Sequence, residues 1–157
     1  VVCCVCNQLG CVISKIMYKV KLNIVELECG DYHTLVKGSV GGKPIRMVLD
    51  TGASRTCMDA EYARTLLPEL QTSVHDGVTA GIGGDDFEVR IADIPDFRLG
   101  RFRMKCYEHM ALLDFTYINL AYQRLHRKPV HVILGNDFLV AHRAVIDYNE
   151  KLLVFEK

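Results

Sequence analysis

The sequence predicts one mostly β domain with a few short helices. Three observations carry that reading. Apolar and polar residues alternate with period two over several short segments. Glycine pairs and other turn residues separate those segments. Helical spacing appears in only three places. The 157 residues suit a single domain, and half of them are apolar, enough to fill a packed core.

Taken in order, the body begins at Tyr18, where Tyr18, Val20, Leu22 and Ile24 alternate with Lys19, Lys21 and Asn23 as one half-buried strand. Thr34 to Val40 fits a second strand, and Gly41-Gly42 a turn. Pro44 suits the start of a third, where no ladder donor is needed, and Ile45 to Leu49 then runs into Asp50-Thr51-Gly52. Asp59 can cap a short helix that reaches Leu67 and is stopped by Pro68. Thr72 to Val78 and Phe87 to Ala92 flank the Gly-rich stretch Ala80 to Asp86, which reads as a hairpin. Phe97 to Leu99 and Phe102 to Cys106 suggest another around Gly100. The clearest helix is Asp114 to Arg127, capped by Asp114, with Phe115, Ile118, Tyr122 and Leu125 on one stripe. Tyr117 and Leu120 lie on another face, free for a contact. Val130 to Leu134 is an apolar strand ended by Gly135, Asn136 to His142 a short helix, and Ala144 to Phe155 a terminal hairpin.

Composition narrows the partners. Lys plus Arg equals Asp plus Glu at 19 each, so the basic excess that nucleic-acid binding draws on is missing. No run of about 18 apolar residues exists to span a membrane. Residues 1–16 differ from the rest: they hold no acid, and Lys15 is their only charge. They read as a disordered extension or as sequence upstream of a start at Met17, leaving 17–157 as the domain. Cys3, Cys4, Cys6 and Cys11 lack the spacing of paired zinc knuckles. Seven cysteines, three of them isolated in the body, do not read as a disulfide framework; they favour a reducing compartment such as the cytoplasm. The six histidines show no ligand spacing, so no metal is expected.

Chemistry concentrates in Val48-Leu49-Asp50-Thr51-Gly52-Ala53-Ser54. A lone Asp-Thr-Gly is a weak signal. Here an apolar strand precedes it, a Gly-rich hairpin follows, and Val132-Ile133-Leu134-Gly135 with Asn136-Asp137-Phe138-Leu139 comes later. That combination resembles the aspartic peptidases of the pepsin and retroviral protease superfamily, over roughly Val36 to Phe155. Pepsins carry two such motifs in a long chain. One motif in a chain of one lobe's length resembles the retropepsin-like plan: a single-lobe, closed β fold working as a homodimer, each copy lending one Asp.

The resemblance implies the following roles. Asp50 is the catalytic carboxyl, Gly52 orients it through its N–H, and Thr51 ties the two loops together across the dimer axis. Two close carboxyls share one proton because like charges at that range do not both ionise cheaply, a behaviour for which aspartic proteases are the standard example. One then takes a proton from water while the other donates to the peptide carbonyl. No cofactor is needed, and the partner is a peptide or protein substrate. Ala53 and Ser54 border the substrate, and Ala53 lacks the hydroxyl many pepsins have there, which implies a less acidic pH optimum. The hairpin resembles the flap, with Gly81, Ile82, Gly83 and Gly84 over the substrate and Asp85 and Asp86 favouring basic ones. Retroviral relatives interleave terminal strands, a role open to Leu152 to Phe155. Asp137 reads as a helix cap and Cys57 as a buried apolar residue. The rival function is a non-catalytic peptide-binding or dimerisation module on the same fold.

Overall fold

The computed structural model describes residues 15–75 and 89–157. Two sheets form. The larger takes β2 (Asn23–Glu26), β3 (Tyr32–Val40), β4 (Lys43–Leu49), β5 (Cys57–Asp59), β6 (Thr72–His75), β7 (Val89–Leu99), β8 (Phe102–Leu113) and β9 (Val132–Leu134). Their order is β2-β3-β4-β9-β5-β8-β7-β6. Residues Gly38, Ser39 and Val40 of β3 also pair with Leu99, Arg98 and Phe97 of β7, so six strands close into a ring. Gly38 permits that closure: a Cβ there would press on the Arg98 carbonyl and the Met47 side chain. The mostly β, closed fold expected from the sequence is the observed one.

Alternation along the strands divides the interior. Val36, Met47, Met58, Met110, Leu112, Val132 and Leu134 point into the main core with Phe97, Phe138 and Phe155. Their neighbours Leu35, Cys57 and Ala111 point the other way, into a second cluster with Val89, Phe115, Tyr122 and Val130. Helix α2 (Thr116–Arg124) covers that second cluster, held by a 2.6 Å bond between His33 Nδ1 and Tyr122 Oη. Helix α1 (Ala60–Leu66) follows β5 and is capped as expected, with Asp59 accepting from the Glu61 N–H at 3.2 Å.

Three boundaries differ from the sequence reading, each for a tertiary reason. The segment read as one strand from Tyr18 to Ile24 is two. β1 (Met17–Lys21) belongs to the smaller sheet and β2 to the larger. Leu22 is buried at the crossing, and its N–H donates to the Lys151 carbonyl at 2.8 Å. Helix α2 is shorter than Asp114 to Arg127, and its N-cap position is Phe115. Phe115 is buried in the second cluster, while Asp114 accepts from the Thr116 N–H at 2.8 Å. At the other end His126 turns the chain out with φ +53. The hairpin around Gly100 is far longer than its apolar pattern, since β7 and β8 pair from Arg90 to Leu112 with an irregularity between Ala92 and Ile94.

The smaller sheet has the order β1-β11-β10, with β10 (Val145–Asp147) and β11 (Leu152–Glu156) forming the terminal hairpin. Strand β11 is central, paired to β1 on one side and β10 on the other. Leu152, Leu153 and Val154 therefore pair on both edges within their own chain, and Phe155 pairs with Tyr18 of β1. No helix among the described residues is long and apolar enough to cross a membrane.

Candidate active site

Strands β4 and β9 run parallel in the middle of the large sheet, pairing Met47 with Val132 and Leu49 with Leu134. β5 lies antiparallel against the other side of β9. The C-terminal ends of β4 and β9 thus open side by side, and the two turns leaving them interlock. Apolar runs explain the placement: Val48-Leu49 and Val132-Ile133-Leu134 are buried or half-buried on both faces, as central strands require.

Asp50 is the first residue past β4 and is half-buried. Its N–H donates to the Leu134 carbonyl at 3.1 Å, carrying the ladder one step beyond the strand. Its Oδ1 accepts the Gly52 N–H at 2.8 Å. The Ala53 N–H returns to the Asp50 carbonyl at 3.3 Å, closing a tight turn. Thr51, Gly52 and Ser54 are exposed and Ala53 is half-buried. One carboxyl oxygen is therefore anchored by a backbone donor on a loop whose next residues face outward.

The second turn grips the first. The Asn136 N–H donates to the Ala53 carbonyl at 2.8 Å, and its Nδ2 donates to the Thr51 carbonyl at 2.6 Å. The Gly135 N–H donates to Thr56 Oγ1 at 3.0 Å. Gly135 is needed for space: a Cβ would lie 2.6 Å from the Arg55 carbonyl carbon and 2.9 Å from the Thr56 nitrogen. Asp137 is not the helix cap the sequence suggested. Gly135 holds the N-cap position of α3 (Asn136–Ala141), and Asp137 sits in its first turn with its carboxylate on Thr56 and Tyr107.

Asp50, Thr51, Gly52, Ala53 and Ser54 thus form one loop, bonded to Leu134 and Asn136, while Gly135 packs against Arg55 and Thr56 just beyond it. Gly81, Ile82, Gly83 and Gly84, with Asp85 and Asp86, lie outside the described residues. Asn136 and Thr56 were missed as site residues. The available signal was the Ile-Leu-Gly-Asn-Asp run, which marks a turn but not what that turn touches. Cys57 stands just behind the loop, and burial pushes its thiol up to about 12, with the Asp137 and Asp50 charges adding to the rise. A thiol so held is a packing group and not a nucleophile.

The closed ring, the paired parallel strands and the interlocked turns define a single-lobe, retropepsin-like fold. The chain is similar to a solved retropepsin-like aspartic protease from Rickettsia conorii, with 16% identity and a TM-score of 0.51, over 91% of this chain and 94% of that one. The family model described as aspartyl protease matches residues 36–138, more than half of the chain, so the chain belongs to the aspartyl protease family. No curated protein matches it.

Proposed function

We propose that two copies of this chain pair to form an aspartic endopeptidase in which the two Asp50 carboxyls activate water against a peptide bond. The observation that carries the reading is the seat of Asp50. It stands at the end of a central strand, one oxygen fixed at 2.8 Å by the Gly52 N–H, on a loop whose neighbours Thr51 and Gly52 are exposed. A carboxyl so placed can meet its twin across a two-fold axis. The pair then titrates as a unit, one group taking the water proton and the other donating to the scissile carbonyl.

Each further residue has a role on this reading. Gly52 fixes the carboxyl plane, and Thr51 joins the two loops across the axis. Ala53 and Ser54 border the bound peptide. Gly81, Ile82, Gly83 and Gly84, outside the described residues, are assigned to substrate binding on the same reading. Asp50→Asn tests the reading. The variant is expected to keep its fold and its mass in solution, at twice the chain mass, while losing cleavage of a diverse peptide library. Cleavage at the parent rate by Asp50→Asn, or an active parent that stays monomeric with an active-site inhibitor bound, sinks it.

A further inference from the structure

Asp137 is a carboxylate that the proposed chemistry does not use. It is half-buried, in the first turn of a six-residue helix, and it accepts four hydrogen bonds. Its Oδ1 takes the Thr56 N–H at 2.8 Å, the Thr56 hydroxyl at 2.7 Å and the Phe138 N–H at 2.8 Å. Its Oδ2 takes the Tyr107 hydroxyl at 3.1 Å. Four donors from β8, α3 and the residue just before β5 converge on one group.

The direction of these bonds matters. Thr56 is fully buried, and its hydroxyl has one proton to give. That proton goes to Asp137, which turns a lone pair of Oγ1 toward the Gly135 N–H at 3.0 Å. Gly135 and Asn136 are thereby held where Asn136 reaches the Thr51 and Ala53 carbonyls. A continuous chain of bonds runs Asp137–Thr56–Gly135, then through Asn136 to the loop that bears Asp50. Burial pushes the Tyr107 phenol well above its ordinary range, so Tyr107 remains a donor to the carboxylate.

We propose that Asp137 is a positioning residue, which through the Thr56 hydroxyl and the Gly135-Asn136 turn sets the geometry of the loop presenting Asp50 and Thr51. The inference rests on the peptidase reading for its consequence in rate, but not for its consequence in the loop. Misplacement of a reacting group by on the order of 1 Å costs about 100-fold in rate. Asp137→Ala is therefore expected to lower kcat by about 100-fold with KM changed only a few-fold, at a temperature where the variant is folded. Asp137→Asn keeps an oxygen for the Thr56 and Phe138 donors, and its amide can donate to the Tyr107 oxygen instead. It is expected to recover most of the lost rate.

Amide hydrogen exchange reads the same loop without catalysis. Exchange at Gly52 and Ala53 is expected to quicken by roughly tenfold or more in Asp137→Ala while the Phe97 and Leu99 amides of the barrel hold their protection. If Asp137→Ala does not fold, Thr56→Val removes the relay with little change of shape and is expected to loosen the same two amides. Unchanged exchange at Gly52 and Ala53 in the folded variant, or lowered melting temperature with kcat intact, overturns the inference. A parent protein that cuts nothing removes the peptidase reading alone, since exchange still decides whether Asp137 sets the loop.

Discussion

Gly135→Ala offers a clean measure of how tightly the two turns interlock. The backbone of Gly135 has φ −99, which any residue adopts, so Ala brings no conformational strain. The penalty is space alone. The new methyl would stand 2.6 Å from the Arg55 carbonyl carbon, 2.7 Å from its oxygen and 2.9 Å from the Thr56 nitrogen. All three are backbone atoms, so no flexible side chain can swing away. Overpacking of this kind costs about 1–3 kcal/mol. Separating the turns also weakens the Gly135 bond to Thr56 and the Asn136 bond to Ala53, each worth about 1 kcal/mol. The expected loss is about 2–4 kcal/mol, or roughly 5–15 °C in melting temperature for a chain of this size. Urea unfolding followed by circular dichroism, with the slope compared between variant and parent, measures it. A loss below about 0.5 kcal/mol would show that the turns part without cost, and the clamp on the Asp50 loop would go with it.

Two more outcomes follow from titratable groups. His131 Nδ1 accepts the Arg46 N–H at 3.0 Å, its ring stacks on Tyr62 at 3.9 Å, and its own N–H and carbonyl bond Arg46 and Asp59. Burial, then the Arg46 charge, holds the imidazole below its ordinary 6.5. The unfolded chain therefore binds the proton first as pH falls. The His131 contribution to stability is complete above about 6.5 and is lost as pH drops through the lower folded value. Thermal unfolding across pH 7.5 to 5 is expected to show this slope, flattened in His131→Asn; equal slopes refute it. Cys57, with its thiol at about 12, is expected to resist alkylation at pH 8 in the native protein while exposed Cys29 reacts, as read by peptide mass mapping. Equal labelling of the two would mean that β5 opens readily.

Much of the fold was legible because burial writes itself into local pattern. Val48-Leu49 before Asp50 and Val132-Ile133-Leu134 before Gly135 are apolar on both faces, and only strands inside a sheet are. Asp59 before its helix and Gly41-Gly42 between two strands are local signals, and both were readable. What stayed hidden depended on residues far apart in the chain. Thr56 and Asp137 are separated by 81 positions, and nothing in either neighbourhood names the other. The change of sheet at Leu22 is invisible to a period-two pattern, because alternation continues unbroken while the partner strand changes. Phe115 looked like the first apolar step of a helix, but its burial in the second cluster moved the helix start past it.

The placement of β11 bears on the order of events in the life of the molecule. Its hydrogen bonds are satisfied by β1 and β10 of the same chain, so a solitary polypeptide already has a complete terminal sheet. If two copies pair as proposed, folding and association are separate equilibria, in contrast to assemblies whose subunits have no stable lone form. On the proposed dimeric reading, a dilute population would consist of well-formed but idle halves, and raising the concentration would bring on activity without any refolding step.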